Sequence, residues 1–116
     1  MLRRLTALAA ALCCAFIVVS AASTDEAAAS DPQVHDAIRV YFPPSEWAIA
    51  DAVAACETDG YDLYNEYSGA YGHWQFLAST SYGMGFDHAA MSDPYYSTWA
   101  ASVLQDAYGW GQWACA

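Results

Sequence analysis

Glu57 follows Cys56 at the end of an apolar helical stretch, and Gln75 stands between Trp74 and Phe76 in the run Ser68-Gly69-Ala70-Tyr71-Gly72-His73-Trp74-Gln75-Phe76. A glutamate in the last turn of a helix faces the negative end of the helix dipole, which disfavours its ionised form. Exclusion of water by neighbouring aromatic rings acts in the same direction. Both effects keep a proton on Glu57 near neutral pH, the state in which a carboxylic acid can protonate the departing oxygen of a glycosidic bond. Gln75 has an amide that can both donate to and accept from an N-acetyl group. Tyr67, Tyr71 and Trp74 can stack on sugar faces, although aromatic side chains beside a cleft also serve as core.

The elements that must position these residues are readable from caps and periodicity. Asp31-Pro32 supplies a cap and a proline at the first helical position, and Val34, Ile38, Tyr41 and Phe42 recur at helical spacing until Pro43-Pro44 stops the helix. Ser45 is expected to cap a second helix whose apolar residues Ile49, Ala52, Val53 and Cys56 share a face, with Gly60 closing it. Tyr61, Tyr64, Tyr67 and Tyr71 lie among acids and glycines with no helical period, which predicts a short hairpin or ordered loop over 61–73. A short helix is expected from Gln75 to Tyr82, stopped by Gly83 and Gly85. Asp93-Pro94 repeats the cap-and-proline opening. Tyr96, Trp99, Ala100, Val103, Leu104 and Ala107 then mark an amphipathic last helix that Gly109 ends. The tail from Trp110 to Cys115 is expected to fold back, with Trp110 and Trp113 packing near the cysteine.

Arg3 and Arg4, an apolar run from Leu5 to Val19 and small residues from Ser20 to Ser23 have the order of a secretion signal, with cleavage expected after Ala22. Residues 1–22 are therefore read as a signal peptide, 23–30 as a flexible leader and 31–116 as a single domain, with no stable membrane anchor after processing. The chain of 116 residues contains no lysine, and after processing Arg39 is left against 13 acids. Such a surface repels phosphate backbones and anionic lipid, so nucleic-acid and membrane-surface partners are disfavoured. Two cysteines then remain, and in an exported small domain Cys56 and Cys115 point to one disulfide. That pairing would hold the tail beside Glu57. His35, His73 and His88 share no metal-ligand spacing, and no serine or cysteine sits in a nucleophile turn. Neither a metal nor another cofactor is expected.

Three ordered pieces carry a resemblance: Trp47 through Cys56-Glu57-Thr58, then Gly69 to Phe76, then Gly109-Trp110-Gly111-Gln112-Trp113-Ala114-Cys115. Together they resemble the catalytic domains of resuscitation-promoting factors and, slightly more distantly, the soluble lytic transglycosylases, over most of residues 45 to 115. In that family a cysteine precedes the catalytic glutamate and pairs with a cysteine closing the chain, while a glutamine between them lies in the glycan cleft. The resemblance implies a mainly α, lysozyme-like α+β fold, a small helical domain with a short hairpin or loop segment and one disulfide. It implies Glu57 as the catalytic acid and Gln75 in the substrate cleft, with Trp74, Tyr71 and Tyr67 as candidate stacking residues and Cys56–Cys115 as the bridge. The implied activity is cleavage of the β-1,4 bond between N-acetylmuramic acid and N-acetylglucosamine in peptidoglycan. One acid does the work in that family: the substrate's own hydroxyl closes on the sugar and leaves a 1,6-anhydro end.

The chain departs from the family pattern where Thr58-Asp59-Gly60 replaces the usual Ser-Gly after the glutamate, and where His73 stands in place of an apolar residue or glycine. It also lacks the Ala-Tyr-Asn-like segment that larger lytic transglycosylases carry near the cleft. Two alternatives accompany the transglycosylase reading: a cell-wall glycan-binding module that has kept the fold and lost the chemistry, and muramidase-type hydrolysis with Asp59, Asp62 or Glu66 as a second carboxylate. The expected partner is the peptidoglycan glycan strand, met by a secreted, cell-wall-associated monomer. An inhibitor or partner of another wall enzyme has the acidic surface as its sole support.

Overall fold

The computed structural model describes residues 31–58 and 63–116. The expected signal peptide and leader, the helix stop at Gly60 and the acids Asp59 and Asp62 lie outside the described residues. Among the described residues the chain is mainly helical, with four α-helices, no strand and one disulfide. No helix among them is long and apolar enough to cross a membrane.

Helix α1 (Pro32–Tyr41) opens as its sequence dictates: the Asp31 carboxylate accepts from the backbone N–H groups of Gln33 and Val34 at 2.7 and 3.3 Å, and Pro32 needs no partner for an N–H it lacks. It buries Val34, Ala37 and Ile38, and Phe42 just beyond its end, against α4 (Pro94–Tyr108). Tyr41, expected on that face, points outward and Ala37 takes its place, because a small side chain lets two helices approach closely.

Helix α2 (Trp47–Thr58) departs further from expectation. A 3-10 turn at Pro44–Glu46 leads into it, so Ser45 lies inside that turn and caps nothing. The buried face is Ala50, Asp51, Val53 and Ala54, whereas Ile49, Ala52 and Cys56 of the expected face are exposed. The rotation follows from Asp51, which is 4% exposed and would be costly to bury alone. Arg39 Nη1 reaches its Oδ2 at 2.9 Å and His35 Nδ1 its Oδ1 at 3.1 Å, both from α1. Arg39 also lies over the Trp47 ring, 4.9 Å from its centroid. A count of apolar side chains cannot see a face that is held by an ion pair.

Of the two forms expected for 61–73, the described part is an ordered loop: the segment from Leu63 to Phe76 makes two isolated antiparallel bridges, Tyr64 with Tyr71 and Tyr71 with Phe76. Tyr71 and Phe76 exchange both backbone hydrogen bonds, at 2.9 and 3.0 Å, and this holds Gln75 and Phe76 out of any helix. Helix α3 therefore spans Ala78–Met84, three residues later than expected, and it ends at Gly85 in the left-handed region; Gly83 is inside it. In α4, Asp93 accepts from the Tyr96 N–H at 2.7 Å, and Ser97, Thr98, Ala100, Ala101 and Leu104 are buried. Trp99 and Ala107, expected on the buried face, are exposed. Gly109, at φ 83°, ends the helix before a 3-10 turn at Trp110–Gln112.

Trp74 forms the centre of the core. It has no exposed surface, its ring lies 5.8 Å from Phe42, 5.9 Å from Trp113 and 6.4 Å from Trp110, and its Nε1–H donates to Thr98 Oγ1 at 3.0 Å. Trp113 donates its own Nε1–H to the Trp74 carbonyl at 3.0 Å, so the tail is tied into the core by a hydrogen bond as well as by packing. The expectation that Trp74 stacks on a sugar is thereby corrected: with every face covered and its one donor occupied, it is core.

The Cys56–Cys115 bridge closes a loop with a sequence separation of 59, for which the chain-entropy estimate is about 4 kcal/mol. Replacing both cysteines by serine is expected to lower the urea-unfolding free energy by about that amount, and an unchanged midpoint would contradict it. Gly72 has φ 87°, and a Cβ there would run into the carbonyl of Met91. Gly72→Ala is expected to cost at least about 2 kcal/mol, from the left-handed backbone plus the steric overlap, read as a fall in thermal midpoint.

Candidate functional site

The disulfide and the carboxyl at position 57 form one local structure. Glu57 lies in the last turn of α2, half-buried, and its Oε2 accepts the backbone N–H of Cys115 at 3.1 Å. The bridge brings that N–H into range, since Cys56 and Cys115 have Cα atoms 6.0 Å apart. Burial raises the pKa of Glu57 above its ordinary value, and the hydrogen bond from Cys115, which favours the charged form, offsets part of the rise. Burial wins, so the group holds its proton to higher pH than a solvated glutamate.

A groove of about 380 Å³ opens over this carboxyl, walled by Asn65, Ser68 and Gln75 on one side and by Gln112 and the Trp113–Cys115 tail on the other. Among its described lining residues Glu57 is the single titratable side chain; the others are amides, a hydroxyl, apolar groups and the disulfide. Gln75 is at φ 52°, and its Nε2 donates to the carbonyls of Leu63 at 2.9 Å and Gly72 at 3.0 Å. Both amide hydrogens are thus committed to the backbone, and Oε1 is left as an acceptor. The expected two-way amide is, in this fold, a one-way group.

Asn65 completes the polar wall. Its Oδ1 accepts from the Tyr67 N–H at 2.9 Å, and its backbone N–H pairs with Ala70, which sets the turn that carries Ser68 to the groove. Ser68 Oγ accepts from the Ala70 N–H at 3.2 Å, leaving the hydroxyl hydrogen to be given elsewhere. The groove therefore presents an acid, an amide acceptor and a hydroxyl donor without a fixed charge beside them.

Of the residues expected at the site, the structure brings Glu57, Gln75, Cys56 and Cys115 together in this groove. Tyr67 is 84% exposed at the tip of the turn between Asn65 and Ser68, outside the groove lining. Tyr71 is half-buried against the core, its ring 5.7 Å from His88, and it does not line the groove either. Asn65, Ser68, Leu77 and Gln112 were not singled out from the sequence. Gln112 had a usable signal, because it sits in the tail that the cysteine pair was expected to hold beside Glu57. Glu66 is exposed and outside the lining, so it does not share the groove with Glu57. No three His, Cys, Asp or Glu side chains gather as a metal site among the described residues.

Compared with known proteins, the chain matches no family model, no curated protein and no solved structure.

The raised pKa has a consequence for stability whose sign is set by linkage. The native state binds the Glu57 proton more readily than the unfolded chain, so this group's contribution is fully present below 4.5 and is lost as pH rises through the raised value. Glu57→Gln cannot ionise and keeps a carbonyl oxygen for the Cys115 N–H. It is expected to be more stable than the parent at pH 7, with the margin shrinking as pH falls through the raised value and levelling off below 4.5, in urea unfolding of both proteins across that range. A margin independent of pH would contradict the burial argument.

Proposed function

We propose that this chain is an exported, cell-wall-associated enzyme of the lysozyme-like α+β class that cleaves the β-1,4 bond between N-acetylmuramic acid and N-acetylglucosamine in peptidoglycan, by lytic transglycosylation. The observation that carries the reading is Glu57: a half-buried carboxyl of raised pKa, unaccompanied by another titratable group among the described lining residues of its groove. Neutral amides and a hydroxyl around it match the hydroxyls and N-acetyl groups of a glycan. The order of Cys56-Glu57, Gln75 and Cys115 matches the resembled family.

In this mechanism protonated Glu57 gives its proton to the glycosidic oxygen as the C1–O bond breaks, with charge building on the sugar ring. The resulting carboxylate then takes the proton of the substrate's own 6-hydroxyl as that oxygen bonds to C1. The enzyme is regenerated with its proton, no water is consumed, and the product ends in a 1,6-anhydro sugar. Hydrolysis would use a carboxylate to activate water or to attack C1. The single-acid chemistry of the resembled family favours the intramolecular route; Asp59 and Asp62, two of the three candidate second carboxylates, lie outside the described residues.

The test is solubilisation of purified peptidoglycan by the mature protein and by Glu57→Gln, with mass spectrometry of the fragments. The parent is expected to release fragments one water lighter than hydrolytic products, and the variant to be slower by at least about 100-fold. Its rate is expected to fall on the alkaline side as Glu57 loses its proton. Equal release by both proteins would end the catalytic reading. Binding to the wall without release would replace it with a glycan-binding module.

A further inference from the structure

A separate groove, of about 430 Å³, shares no lining residue with the one over Glu57. It lies toward the other end of α2, where Glu46 stands just before the helix begins while Glu57 occupies its last turn. Its origin is local. Helix α1 is 10 residues long and packs on α4, which is 15, and Pro43-Pro44 turns the chain away before α1 can cover the whole of its partner. The space left open is lined by the apolar surfaces of Tyr41, Phe42 and Val103 and by two acids, Glu46 from the 3-10 turn and Asp106 from α4. Glu46 is fixed in place: its Oε1 accepts the Trp110 Nε1–H at 2.7 Å, and the Trp110 ring stacks on Phe42 at 5.5 Å. Asp106 is exposed.

We propose that this groove docks a basic peptide segment of a partner protein, with an arginine or lysine side chain between Glu46 and Asp106 and an apolar neighbour against Phe42 and Val103. Charge complementarity selects that occupant. Among the described residues no cation pairs with either carboxylate: Arg39, the sole Lys or Arg there, is held by Asp51 at 2.9 Å and lies over Trp47, and the histidines that meet acids meet Asp51 and Asp31. A nucleic acid or an anionic surface would bring charge of the same sign. A neutral sugar would take both carboxylates out of water without supplying a counter-charge. No third ligating side chain joins the two acids to make a metal site among the described residues, whereas a guanidinium or ammonium brings donors enough for both. The apolar lining favours a peptide over a free cation, because a side chain carried beside the charge is removed from water against Phe42 and Val103. The proposal is independent of the glycan reading of the Glu57 groove.

The experiment titrates the exported protein with an acetylated, amidated peptide of about six residues in which two arginines flank a leucine, and with the same peptide carrying glutamates for the arginines, following backbone amide shifts by NMR. The arginine peptide is expected to bind, to move the amides of Phe42, Val103 and Asp106, and to weaken as salt is added; the glutamate peptide is expected not to bind. Asp106→Lys, at an exposed position, is expected to weaken binding about tenfold, and Glu46→Gln, which keeps an acceptor for the Trp110 N–H, about threefold. Asp36→Lys makes the same change in net charge at an exposed site on α1 outside the groove, and is expected to leave binding within about twofold. An equal loss in Asp36→Lys and Asp106→Lys would mean attraction to an acidic surface only and would overturn the docking site. No binding of the arginine peptide, or shifts confined to amides away from the groove, would overturn it as well, and none of these outcomes bears on the peptidoglycan test.

Discussion

The indole of Trp74 is the constraint on which the rest of this domain depends. It is covered by three rings from two other places in the chain, Phe42 after α1 and Trp110 and Trp113 in the tail, while its N–H is taken by Thr98 on α4. A buried indole without a partner for its nitrogen would be costly, so the hydrogen bond fixes the orientation of the ring as well as its depth. The backbone on either side inherits that geometry. Gly72 must pass against Met91, and Gln75 must turn through a positive φ to bring Phe76 back to pair with Tyr71. The Gln75 amide is then turned onto the carbonyls of Leu63 and Gly72, which makes it a fixed wall of the groove.

Around that centre, the covalent bridge has two effects. It restrains the unfolded chain, and it places a backbone N–H against the Glu57 carboxyl. The hydrogen bond lowers the pKa that burial raises, so the acid is moderated without losing its preference for the protonated form. Asp51 shows the opposite solution to a buried carboxylate in the same helix. There Arg39 and His35 both come from α1, and their contacts with the carboxylate act as a joint between helices. Two acids six residues apart are therefore given different environments by what their neighbours supply, one a single amide and the other two side chains that can carry positive charge.

Legibility from the sequence was greatest where the information is local. Asp31-Pro32, Asp93-Pro94 and Gly109 mark helix ends because cap geometry involves residues within one turn, and the structure has each of them in that role. The cysteine pair is the one long-range contact that composition could suggest, since Cys56 and Cys115 are the two cysteines outside the expected signal peptide. Faces were less legible. On α2 the buried side was misjudged by following apolar residues, because the decisive residue is a charged one whose partners lie on another helix. The start of α3 was misplaced because Gln75 and Phe76 belong to a bridge with Tyr71, a pairing that no local propensity encodes.

The same division runs through the site. That an acid, an amide and a returning tail belong together was written in residue order and in the cysteines, because covalent connection and short-range helix geometry bring Glu57 and Cys115 to one spot. Which side chains wall the groove was decided by packing. Trp74 and Gln75 are adjacent in the chain, yet one is sealed in the core and the other faces open space, and the choice was made by the rings of Phe42, Trp110 and Trp113. An aromatic residue has the same composition signal whether it is core or platform; only the number of surfaces that reach it separates the two, and that number exists once the chain has folded.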